Sequence, residues 1–186
     1  MQRSPEPTLR WPAPVSLPDG EQSPKIAPAA FIAPGAAVVG DVEIGAESSV
    51  WFNCTIRGDE EQIRIGPGTN IQDGTVIHVH SQKQGTYIGA NVTIGHMVLL
   101  HACALEDGAY VGMGAQVMDE TVIESGAMLA AGALLTQKKW IPRGELWAGR
   151  PATLMRMLTE EEVARFARTA ETYAERGRKY RLQYAK

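Results

Sequence analysis

The stretch GAYVGMGAQVMDETVIESGAMLAAGALL, residues 108–135, carries an aliphatic residue at every sixth position: Val111, Val117, Ile123, Leu129 and Leu135. Small residues keep the same interval four positions later, at Ala109, Ala115, Thr121, Ala127 and Ala133. A period of six is neither the 3.6 of an amphipathic helix nor the two of a half-buried strand. It suits a coil in which each hexapeptide forms one side of a triangle. Three sides make a turn of about eighteen residues, and turns stack at the strand spacing of roughly 4.8 Å.

The same beat extends backward through Leu105, Ile94 and Ile88, then Ile77, Ile71 and Ile65, then Ile56, Val50, Ile44, Val38 and Ile32. Ala36, Val42, Ser48, Cys54, Thr69, Thr75, Ser81 and Val92 occupy the small inward positions between them. The expected fold is therefore all-β, a parallel β-helix of hexapeptide repeats over residues 27–152. Residues 1–26 are proline-rich and polar and read as a flexible tail. Residues 153–186 read as a C-terminal helix packing on the coils or on a neighbouring subunit. Thr159 and Glu162 form a capping box at its start. Val163, Phe166, Ala167, Ala170, Tyr173 and Ala174 give it an apolar stripe, and Gly177 is expected to break or kink it. Trp51, Trp140 and Trp147 read as packing residues.

Composition narrows the function classes. A net charge of −3 gives no basic footprint for nucleic acid. No apolar run approaches the roughly 20 residues of a bilayer span, and the opening MQRSPEPTLRWPAPVSLPDG has no apolar h-region of a secretory signal. The expectation is a soluble, cytoplasmic protein that binds neither membrane nor nucleic acid. Cys54 and Cys103 are too few for a disulfide framework and read as small buried residues.

All four histidines lie between His78 and His101. With about five residues inserted in HSQKQGTY, His78 and His101 fall on the same face one coil apart, with offsets that match or differ by one. His96 falls on another face. One prism cannot aim two faces at one external point, but three prisms about a threefold axis can, if His96 of one subunit meets His78 and His101 of the next. The spacing thus implies a homotrimer and a shared metal. Allowing three extra residues in RGDEEQIRI, Arg57 joins the face of His78, while Gln72 and Asp73 stand beside His96. Three neutral imidazoles with an open position suit a catalytic Zn2+, and Fe2+ or Co2+ are accepted as well. His80 reads as a solvated or supporting residue.

WFNCTIRGD, NIQDGTVIHVH and IGHMVLLHACALEDGAYVGMGA, followed by GRPA and a C-terminal helix, resemble the gamma-class carbonic anhydrases from about Ile26 to the end. The resemblance implies a left-handed β-helix trimer, with zinc or ferrous iron held between subunits by His78, His101 and a neighbour's His96. The implied reaction is reversible hydration of carbon dioxide to bicarbonate by hydroxide on that metal. It further implies that Arg57 and Asp59 pair at the interface with Asp73 alongside, that Gln72 touches the reacting water, and that Glu60 handles water or a proton. SQKQGTY lacks the acidic loop of well-studied active members, which leaves proton export to Glu60, His80 or a tyrosine such as Tyr173. The alternatives are a coenzyme A-dependent acyltransferase, an acyl-CoA thioesterase at the same metal, or a weakly active metal-binding scaffold trimer.

Overall fold

The structure, a computed structural model, describes residues 15–17, 22–81 and 83–184. Within them the chain winds as a parallel β-helix with three faces. The first face stacks the opening residues of Ala37–Ile44 and Thr55–Ile65, then Val76–His78, Leu99–His101, Gln116–Val117 and Leu134–Leu135. The second stacks Lys25–Ile26, the closing residues of the two long strands, Thr86–Ile88, Ala104–Leu105, Val122–Ile123 and Trp140–Ile141. The third runs from Phe31–Ile32 through Ser49–Val50, Asn70–Ile71, Thr93–Ile94, Tyr110–Val111 and Met128–Leu129 to Glu145–Gly149. All these pairings are parallel. An antiparallel strand, Ala152–Met157, ends the third face.

The six-residue period is the inward column of each face. On the first face Val38, Ile56, Ile77, Leu100, Val117 and Leu135 are in register and fully buried. Each such side chain contributes roughly 1.5–3 kcal/mol through removal from water. The small positions behave alike with one exception. Ser81 is exposed, because the chain leaves the coil at His80, where an isolated bridge to Gln84 closes the inserted loop. Leu100 is the inward residue, and it stands five rather than six positions before Leu105, so the coil is one residue short between them. The corner there holds Ala102 at a φ of 46°, the left-handed conformation that Asn53, Met97, Glu120 and Lys138 also adopt at corners of the coil.

The two long strands bend around the edge between the first and second faces. Gly40, with φ 79°, sits so close to the backbone of Gly58 that a Cβ there would lie 2.2 Å from its carbonyl oxygen. Between Gly40 and Val42 stands one residue, whereas four stand between the facing Gly58 and Ile63. The surplus is the three extra residues expected in RGDEEQIRI.

The solenoid begins earlier than residue 27. Lys25–Ile26 is already a strand on the second face, and Val15–Leu17 pairs with Ala37, Val38 and Val39. The rest of the expected tail, residues 1–14 and 18–21, lies outside the described residues. At the other end the hairpin continues to Met157, past the expected boundary at 152, before the helix Glu160–Tyr184 starts. No helix among the described residues is long and apolar enough to cross a membrane.

The helix covers the third face of its own chain. Phe166 lies 4.7 Å from the Tyr110 ring, Tyr173 5.5 Å from Trp51, and Tyr180 meets both Trp51 and Phe31. Ala167 is exposed, off the stripe assigned to it, and the helix runs unbroken through Gly177. Gly177 is buried where the helix comes nearest the coils, and a Cβ would lie 3.3 Å from that of Ser49 and 3.4 Å from that of Phe31. Close approach, not termination, explains the glycine. Trp51 is buried and Trp147 packs on the core, but Trp140 is 59% exposed and packs little. Both cysteines are free and buried, with thiols pushed up to about 12 by burial.

The capping box forms as read. The Thr159 N–H donates to Glu162 Oε2 at 2.9 Å, and the Glu162 N–H donates to Thr159 Oγ1 at 3.2 Å. Arg156 grips both carboxylate oxygens at 2.8 Å, and with the Thr159 amide it holds the Glu162 carboxyl down to about 2.

Two outcomes are expected. Gly177→Leu lowers stability by about 1–3 kcal/mol through overpacking, read as a fall in the urea midpoint with exposure of Trp51 to quencher; an unchanged midpoint contradicts the close approach. Because the folded carboxyl of Glu162 titrates below its ordinary value, its anchor is complete above about pH 4.5 and fades as the pH falls towards about 2. The protection of the Val163 amide, which donates to the Thr159 carbonyl, should therefore fall relative to its intrinsic exchange rate in that window, and Glu162→Gln should flatten the pH step.

Candidate metal centre

His78 and His101 end two neighbouring strands of the first face and are direct Cα partners in the parallel ladder. The preceding residues, Ile77 and Leu100, point into the core, so both imidazoles project outward. Their rings lie 5.3 Å apart, and His78 Nδ1 approaches His101 Nε2 to 3.4 Å.

A carboxylate holds the far nitrogen of each ring. His78 Nε2 is 2.9 Å from Asp59 Oδ1, and His101 Nδ1 is 2.6 Å from Asp119 Oδ1. Carboxylates accept only, so each imidazole donates an N–H to its carboxylate, and in the neutral rings the nitrogens that face each other are the free ones. Arg57 pairs with Asp59 from the side. Burial raises the Asp59 carboxyl, but the hydrogen bonds from His78 and Arg57 outweigh it and keep the group below the usual range.

Two lone pairs facing each other repel unless a cation lies between them. Zn–N bonds of about 2.0–2.1 Å in a tetrahedron set ligand nitrogens roughly 3.3–3.4 Å apart. The observed 3.4 Å matches that edge and is long for a hydrogen bond. The residues present therefore fit two corners of a tetrahedral N-donor site.

Asp119 was not among the expected residues. It lies eighteen residues after His101, one coil further on, and its side chain is only 11% exposed. Carrying the coil arithmetic one turn beyond the last histidine would have found it. The same carboxylate stands 4.0 Å from His80 Nε2 through its other oxygen, so His80 borders the centre without entering it.

The remaining expected residues lie elsewhere. His96 follows Thr93–Ile94 on the third face, with its Nδ1 2.9 Å from Asp73. Gln72 is on that face as well, buried, and donates its Nε2 to Asn70 Oδ1 at 3.0 Å. Glu60 is exposed in the extra residues that turn the edge. Within one chain, no group of three or more His, Cys, Asp or Glu side chains among the described residues converges to hold an ion.

No family model matches the chain. It is 47% identical over 158 residues to gamma carbonic anhydrase 2, mitochondrial, of Arabidopsis thaliana, which covers 82% of this chain and 57% of the plant protein. It is 41% identical over 160 residues to a carbonic anhydrase of Geobacillus kaustophilus, covering 86% of this chain and 87% of the relative. Among solved structures, a hexapeptide transferase family protein from Anaplasma phagocytophilum superposes with a TM-score of 0.86 at 50% identity, over 89% of this chain and 98% of the other. The chain spans less than two thirds of the length of the plant relative.

If Asp119 fixes the His101 ring for metal, Asp119→Asn lowers Zn2+ affinity by about 10–100-fold, measured by chelator competition. Unchanged affinity would show that the contact has no bearing on metal binding.

Proposed function

The chain belongs to the gamma carbonic anhydrase family, and from that premise we propose that it hydrates carbon dioxide reversibly to bicarbonate at a metal site completed between copies. The observation that carries this reading is the 3.4 Å approach of His78 Nδ1 to His101 Nε2, with both outer nitrogens committed to carboxylates. His78 and His101 hold a divalent cation, Zn2+ or alternatively Fe2+ or Co2+, and His96 of a second copy supplies the third imidazole. When bound, such a cation supplies the Lewis acidity that makes a nucleophile from water at neutral pH.

The chain's own residues do the rest. Asp59, Asp119 and Asp73 each hold the N–H of one imidazole and so fix which nitrogen is free. Arg57 keeps Asp59 in place and ionised. Val76 and Leu99 stand two residues before His78 and His101 on the same outward face, where they form an apolar wall that excludes water and receives carbon dioxide. Val76 is 40% exposed in the single chain, and Met97, next to His96, is 75% exposed. Apolar side chains beside the ligands suit cover by neighbouring copies in a homotrimer. Gln72 commits its Nε2 to Asn70, which leaves Oε1 to accept a hydrogen bond from the attacking water and orient it. Glu60, exposed beyond Asp59, takes the released proton to buffer.

Acyl transfer from coenzyme A explains the centre less well. A histidine acting as a base presents one free nitrogen to a nucleophile, whereas here two free nitrogens face each other.

Stopped-flow hydration of carbon dioxide, on protein purified without oxygen and reloaded with Zn2+ or Fe2+, tests the assignment. Rates should follow metal occupancy, and His96→Ala should lower them at least about 100-fold although His96 lies on another face. Full occupancy without hydration would contradict the enzymatic reading.

A further inference from the structure

The third face carries a cavity beside His96 whose aromatic walls and Arg176 no step above uses. Aromatic walls from Trp51, Phe52 and Tyr173 enclose about 420 Å3, and His96, Asp73 and Arg176 line it as well. The cavity thus adjoins a histidine assigned to the metal, and a cationic side chain, Arg176, forms part of its wall.

The setting of Arg176 is what makes the cavity informative. Its guanidinium carbon lies 5.3 Å from the Tyr173 ring centroid, close enough for the ring face to hold the charge in place. Three and four positions away on the helix stand Tyr173, Lys179, Thr172 and Tyr180, none of them acidic. Asp73, the carboxylate in the cavity, is turned to His96 Nδ1 at 2.9 Å. Among the described residues Arg57, Arg64, Arg156 and Arg178 are each paired with an acid, whereas Arg143, Arg150, Arg165, Arg168 and Arg181 are not, and what sets Arg176 apart is its place in an aromatic cavity beside His96. Arg176 has no such pairing among the described residues. Burial raises the Tyr173 hydroxyl above its ordinary value, so it stays an O–H donor at neutral pH.

We propose that Arg176 and Tyr173 form a docking station for a small planar oxyanion, and that bicarbonate, the charged species of the reaction, is its ligand. This rests on the reading of the preceding subsection. The planar guanidinium fork matches two oxygens of one carboxylate-like anion, and the Tyr173 hydroxyl can donate to another oxygen. Carbon dioxide, uncharged and apolar, gains nothing from this station. It therefore separates the two carbon species, drawing bicarbonate through the aromatic cavity and leaving the Val76 and Leu99 wall to the gas.

The test is an equilibrium titration on the zinc-loaded full chain carrying 15N-labelled arginine. The side-chain Nε–H resonance that disappears in Arg176→Lys is followed as bicarbonate is added. It should shift saturably, and chloride at equal ionic strength should not reproduce the shift. In bicarbonate dehydration, Arg176→Ala should raise KM about tenfold, with KM carrying most of the loss in kcat/KM, and Arg176→Lys should recover part of it. A resonance that ignores bicarbonate, or answers chloride equally, overturns the station. A saturable shift in protein that hydrates no carbon dioxide upholds the station and overturns the enzymatic reading, whereas full hydration without a shift does the reverse.

Discussion

Parallel pairing in strict register is the constraint on which the rest depends. Leu100 lies on Ile77 in the core, and His101 therefore lies on His78 outside it. A slip of one residue would turn the imidazoles inward and the aliphatic side chains outward, so the burial that stabilises the coil also aims the donors. The inserted loop at His80 and the residue missing between Leu100 and Leu105 both leave this pair of strands intact. Length variation is absorbed at the corners and not on the faces.

The first charges outside the core follow from the same ladder. Asp59 enters because the edge at Gly40 and Gly58 accommodates three surplus residues, and Asp119 enters because the coil repeats below His101. The two carboxylates need not touch a metal to matter. A neutral imidazole has two tautomers, and each carboxylate selects the one that leaves the inner nitrogen bare. Arg57 offsets the cost of keeping Asp59 ionised in a partly buried place.

Much of this was legible in the sequence, because a period of six has few structural solutions. Every aliphatic position from Val38 to Leu135 in that series is buried, and the shared face of His78 and His101 follows from counting. What could not be read had local causes. Ser81 kept the period in letters but lies in a loop, because a single residue carries no sign that the chain has left the coil. Gly177 suggested a break, since only the third dimension reveals that Ser49 and Phe31 press against it. Trp140 followed the general tendency of large aromatic residues to pack, yet it takes the outward position of the last strand on the second face, beside the inward Ile141. Asp119 was within reach of the arithmetic and was missed only because counting stopped at the last histidine.

The most direct test of a site shared between copies is metal binding in mixed assemblies. His96→Ala and His101→Ala chains, each purified and then refolded together, are compared by equilibrium dialysis against Zn2+. The proposal predicts no tight binding by either variant alone and up to about one ion per mixed trimer, because one interface then unites His78 and His101 of one variant with His96 of the other. A mixture that binds no more metal than its separate components would contradict it.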